Sequence, residues 1–135
     1  MQPLFAAFRA RAAIAFPPAL QPHLAAHREL ARAGVRLAFS SDLPVTPDPN
    51  PWDGLAAAVL DAVHALSPLA ALRAYTAGGA YASREERVKG RLEPGQLADL
   101  QVYERDPLSA GPQHWAGSRP SLVMVGGAVA WRARP

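Results

Sequence analysis

Cysteine is absent from all 135 residues. Its absence excludes disulfides, thiolate metal sites and a cysteine nucleophile, and leaves a cytoplasmic location as the default expectation. Lysine is scarce as well: Lys89 is the one example, so the formal charge of +3 and the pI near 10.0 rest on arginine. The arginines are scattered from Arg9 to Arg134 without a long basic run, so the electrostatic footprint of a nucleic-acid binder is weak. No apolar stretch reaches the roughly 18 residues of a membrane span. The opening MQPLFAAFRARAAIAF is broken by Arg9 and Arg11 and lacks the clean cleavage site of a signal peptide. No nucleic-acid and no membrane partner is expected.

What is present fits a folded chain. Hydrophobic residues make up 50% of it and the mean hydropathy is −0.03, which is a globular rather than a disordered composition. The length suits about one domain and is too short for a complete eightfold α/β barrel of roughly 250 residues.

Along the chain, Pro3, Pro17 and Pro18 make residues 1–19 a loop with room for a short helix over residues 4–13. Leu24, His27 and Ala31 have helical spacing and Gly34 ends that helix. A strand is expected over residues 35–39 (VRLAF), followed by Asp42 and a loop stiffened by Pro44, Pro47, Pro49 and Pro51. Leu55, Val59, Ala62, Val63 and Leu66 mark one face of a helix over residues 54–66. Ser67 and Pro68 read as N-cap and first helical position of the next helix, which Gly78 and Gly79 should end or bend. After residue 83 the pattern becomes strand-like, with a Pro94-Gly95 turn, alternation through Ala98, Leu100 and Val102, and a closing hairpin at Gly126-Gly127.

Asp42 is the best candidate for chemistry, because a carboxylate just past the C-terminal end of a strand in an α/β unit lies where ligands and metals bind. It could ligate a divalent metal or carry a proton. The plainer alternative is an Asx-turn or N-cap, and pattern alone favours that alternative. His23 and His27 stand four apart without an HExxH context, and structural roles are expected for them and for His64, while His114 sits in a polar loop. No serine has a nucleophile-elbow context, and Gly78-Gly79 lacks the rest of a phosphate loop. Trp52, Trp115 and Trp131 read as core or interface anchors. Arg84, Glu85, Glu86, Arg87 and Lys89 read as an internally paired surface.

Taken in order, FSSDLPV, the proline-rich loop, the A-x-x-x-Y-T helix, KGRLEPGQLADLQVY and the terminal VMVGGAVAW resemble the C-terminal end of metal-dependent amidohydrolases. The branch they resemble is the amidohydrolase 3 or YtcJ-like family, over most of residues 31–132, and the opening MQP resembles the Q-P pair after that family's seventh barrel strand. The resemblance implies an α/β fold: a C-terminal fragment of a (β/α) barrel over residues 1–83, then a small β-sandwich portion over residues 84–135. It also implies that Asp42 binds metal or activates the hydrolytic water, as both the catalytic and the metal-binding residue. Lys89, Gly90, Pro94, Gly95, Ala98 and Asp99 are implied to be structural.

The family's early H-x-H pair, its bridging lysine or carboxylate, and its later histidines have no counterparts here. No cofactor is therefore expected for this chain alone, and zinc or another divalent metal is expected in a complete enzyme. There a metal-bound hydroxide would attack a small amide or cyclic amide, and Asp42 would shuttle its proton to the departing nitrogen. The chain reads as a truncated or split hydrolase, inactive alone, or as a noncatalytic structural or interaction domain derived from that fold. Unpaired strand edges imply self-association or a complementing chain.

Overall fold

The computed structural model describes residues 1–8, 14–46 and 49–134. Short 3-10 turns lie at Pro3–Phe8 and Gln21–His23. They are followed by α1 (His27–Arg32), α2 (Pro51–Leu60), α3 (Pro68–Tyr75), α4 (Ala77–Ala82), β1 (Leu100–Val102), β2 (Leu122–Val125) and β3 (Ala128–Arg132). The fold is mixed α/β with one antiparallel three-stranded sheet in the order β1-β2-β3. Part of the helix expected over residues 4–13 lies outside the described residues.

Local chemistry explains where the helices start and stop. Asn50 caps α2, its side chain accepting from Trp52 N at 3.2 Å, and Ser67 caps α3 by accepting from Ala70 N at 3.3 Å. The helix expected to run on to residue 66 instead stops at Leu60. The carboxylate of Asp61 accepts from Val63 N and His64 N, at 2.8 and 3.0 Å, offering those donors a turn in place of the next helical carbonyls. Val63, expected on the buried face, is 46% exposed as a result.

Gly78 and Gly79 do not end a helix either. The break falls at Thr76 (φ −107°, ψ −90°) and both glycines lie inside α4. Gly78 is needed there for close approach, because a Cβ would land on the carbonyl oxygen of Leu37, well inside van der Waals contact.

The strand expected over residues 35–39 is not a strand in a sheet among the described residues. Its helix-facing side is taken up by α3 and α4, with Phe39 N donating to Ala74 O at 3.0 Å and Leu37 O lying against Gly78. On its other side the Met1 ammonium donates to Ala38 O at 2.6 Å. Strand status needs a ladder, and the sequence of the segment cannot supply the partner.

The hairpin follows expectation. Gly126 and Gly127 have φ of 58° and 82°, which suit a two-residue turn. Asp99 Oδ1 accepts from Gly126 N at 2.6 Å and ties the turn to the start of β1. The register shifts between Val123 and Met124, so that Val123 pairs with Trp131 and Met124 with Val129.

The core combines Phe39, Trp52, Leu55, Ala58, Leu66, Ala71 and Ala74 with Trp115 from the far end of the chain. Trp52 meets Trp115 and Tyr103 edge-on, at ring distances of 5.7 and 5.4 Å. Its indole N–H donates to Tyr103 Oη at 2.6 Å, while Asp53 accepts from Gly117 N at 2.9 Å. Truncating a tryptophan buried as fully as Trp115 costs about 3–5 kcal/mol. The helices and the segment before β2 are therefore held as one packed body.

Candidate functional site

Asp42 stands at the end of the 35–41 segment in a left-handed conformation, φ 61°. Such backbone is uncommon outside glycine and persists where the surroundings fix it. The fixing is visible: Val45 N donates to Asp42 O at 2.7 Å, and Thr46, itself buried, donates its hydroxyl to Ser41 O at 2.5 Å. Leu43-Pro44 within this turn is cis. The Asp42 side chain is exposed, and among the described residues its carboxylate accepts no hydrogen bond and joins no ion pair. The Asx-turn and N-cap alternatives both require such a bond. Those tasks fall to Asp61, Asn50, Ser67 and Asp106.

The chain start lies alongside. Gln2 Nε2 donates to Ser40 Oγ at 3.4 Å, and the Met1 ammonium donates to Ala38 O at 2.6 Å. Partial burial pushes the Met1 amine below its ordinary pKa. The Q-P pair singled out in the sequence thus lies next to the S-D pair in space.

The histidines are not gathered around Asp42. His23 is exposed at the end of a 3-10 turn, whereas His27 begins α1 and is buried with its ring edge-on to Phe39 at 5.1 Å. Ala25, φ 57°, breaks the helix between them, so they share no helical face. His64 is buried between two acceptors, with Nδ1 2.6 Å from Glu29 Oε2 and Nε2 2.9 Å from Pro22 O. The imidazolium form satisfies both, and the neutral ring supplies one N–H. This clamp was not legible in the sequence, where Glu29 and His64 are 35 residues apart; no local signal pointed to it. Burial raises the Glu29 carboxyl, but hydrogen bonds from its own backbone N–H, His64 and Arg28 outweigh it and hold the group below its ordinary pKa.

Tyr75, packed edge-on against Phe39 at 5.5 Å, is pushed up to about 12 by burial and then by the Asp53 charge. It remains a neutral phenol. His114 is exposed, and Lys89 pairs with Glu85 at 2.7 Å. A cleft of about 450 Å³ lined by Arg73, Thr76, Ala77, Gly90, Arg91 and Glu93 does not include Asp42. Among the described residues, no group of three or more His, Asp or Glu side chains is placed to hold a metal ion. No described helix is long and apolar enough to cross a membrane.

Residues 2–130 match the amidohydrolase family. The chain belongs to that family. An N-substituted formamide deformylase from Arthrobacter pascens is 35% identical over 89 residues, which cover 60% of this chain and 16% of that protein. The crystal structure of an amidohydrolase from Thermotoga maritima superposes with a TM-score of 0.63 at 27% identity, over 78% of this chain and 25% of that one. This amidohydrolase-family chain therefore spans about a sixth of the curated relative and a quarter of the solved one. Its Asp99, conspicuous in the LADL run, ties down the hairpin.

Proposed function

We propose that the chain is the C-terminal portion of an amidohydrolase-family hydrolase, with residues 1–83 belonging to a (β/α) barrel and residues 84–135 to a β-sandwich. The completed enzyme would hydrolyse a carbon–nitrogen bond, other than a peptide bond, in a small amide or cyclic amide. The observation that carries this reading is the unpartnered Asp42 carboxylate on left-handed backbone, beside a segment buttressed by α3 and α4. A carboxylate so placed can take a proton from an attacking water and pass it to the departing nitrogen. Family membership supplies the reaction class, and the formamide deformylase relative is named for action on a small amide.

The described residues do not fit a metal by themselves. Zinc takes three or four protein ligands, and Asp42 stands without the second and third. We therefore infer that this chain alone is inactive and that a divalent metal belongs to the completed enzyme. Titration with zinc should show no tight stoichiometric binding; a stoichiometric site would overturn that inference. In an enzyme reconstituted with the remaining barrel, Asp42→Asn should lower turnover by about 10²–10⁴-fold with an unchanged circular dichroism spectrum. Near-normal turnover would remove Asp42 from the mechanism.

A second reading, a noncatalytic interaction domain derived from the same fold, is favoured by the sheet. Val125, Val129 and Trp131 are 59, 53 and 47% exposed. Failure of every reconstitution, together with specific self-association through this sheet, would decide for it.

A further inference from the structure

The turn that Asp42 opens leaves few amides for its carboxylate. An Asx-turn would close on the amide two residues on, and that residue is Pro44, which has no N–H. An N-cap would use the amide after it, but Val45 N donates to the Asp42 main-chain carbonyl at 2.7 Å, and Thr46 N donates to the same oxygen at 3.4 Å. The main chain of Asp42 thus takes the donors that its side chain would otherwise collect.

This division depends on how the two peptide planes flanking the Asp42 Cα are turned, since together they set φ, ψ and the direction of Cβ. The plane after Asp42 is held by the two amides, which any residue but proline would supply at positions 45 and 46. The plane before it is held through Ser41 O, which accepts from the Thr46 hydroxyl at 2.5 Å. Thr46 is 6% exposed, so this bond is sheltered from competing water. Of the three bonds it is the one that depends on a side chain. It also acts on the plane that fixes the left-handed φ of 61°, a conformation disfavoured for a residue with a Cβ.

We propose that Thr46 is a positioning residue: through Ser41 O its hydroxyl holds Asp42 on left-handed backbone and so keeps the carboxylate free of its own turn. The consequence for catalysis rests on the reading of Asp42 as the group that carries the proton. The geometric role does not.

The test compares Thr46→Ser, which keeps the hydroxyl, with Thr46→Val and Thr46→Ala, which remove it, by NMR of the whole chain. A positive φ brings the amide proton close to Hα of the same residue, so the parent and Thr46→Ser should show a strong intraresidue Overhauser cross-peak at Asp42. In Thr46→Val and Thr46→Ala it should weaken several-fold as Asp42 returns to negative φ, with the indole resonances of Trp52 and Trp115 at their parent positions. An undiminished cross-peak in either folded hydroxyl-free variant, or equal loss in Thr46→Ser, overturns the proposal. So does unfolding of both hydroxyl-free variants, which would make the hydroxyl a structural group.

In the reconstituted enzyme, Thr46→Val should lower kcat by about 10- to 100-fold with KM changed less than about twofold, and Thr46→Ser should recover it. Unchanged kcat where Asp42→Asn is inert overturns the part of Thr46 in catalysis. Near-normal turnover of Asp42→Asn would instead remove Asp42 itself, and the cross-peak, which needs neither substrate nor metal, would still decide the geometric role.

Discussion

Two adjacent glycines in α4 sit in opposite circumstances. A methyl at Gly78 would strike the backbone of Leu37, whereas a methyl at Gly79 would meet nothing within 4 Å. Gly78→Ala should therefore cost about 1–3 kcal/mol through forced separation of α4 from the 35–39 segment. Gly79→Ala should instead stabilise by about 0.5–1 kcal/mol, since glycine is the poorer helix former. Urea unfolding of the two variants checks both signs, and equal effects would mean that Leu37 does not lie against Gly78. From the sequence this pair reads as the end or a bend of a helix, because nothing local announces which glycine carries a tertiary contact. Asp42 shows the converse. Its place after the apolar segment was legible from the motif order, but its left-handed backbone comes from a turn closed by Val45 and Thr46, and the sequence pattern alone favoured a capping role that the carboxylate does not perform.

Elements whose signals are local came through the sequence intact. Ser67 caps α3 and the paired glycines turn the hairpin, each acting within four residues. Ser67→Ala should cost about 1 kcal/mol in urea unfolding. Elements that depend on distant partners did not come through: the helix expected over residues 54–66 overruns the end of α2 by six residues because the Asp61 carboxylate captures the Val63 and His64 amides, and residues 35–39, expected as a strand, join no sheet among the described residues. The link between α1 and the turn after α2 is the Glu29–His64 contact. Because the folded Glu29 carboxyl sits below its ordinary value of 4.5, its contribution is present above that value and lost as pH falls through the lower, folded value. Glu29→Gln should flatten the acid side of a stability-against-pH curve. A curve parallel to wild type would show that the contact contributes nothing.

At the scale of the molecule, the outer strand β3 of the sheet is left uncovered. All five residues of β3 are exposed, and among the described residues the sheet's outer strands β1 and β3 have no further strand on their outer edges. Concentration-dependent self-association is the expected outcome in small-angle scattering, reduced by Val129→Lys; a monodisperse monomer at all working concentrations would count against it. The tryptophans divide along the same boundary. Trp52 and Trp115 are shut in the core, stacked edge to face, and Trp131 stands half open on β3. The chain thus carries two optical reporters. Acrylamide should quench Trp131 selectively, so its emission follows whatever covers the sheet, while the coupled indoles of Trp52 and Trp115 give a circular dichroism couplet that vanishes only when the segment around Trp115 lifts from α2. Assembly and unfolding can therefore be told apart in one sample without any label.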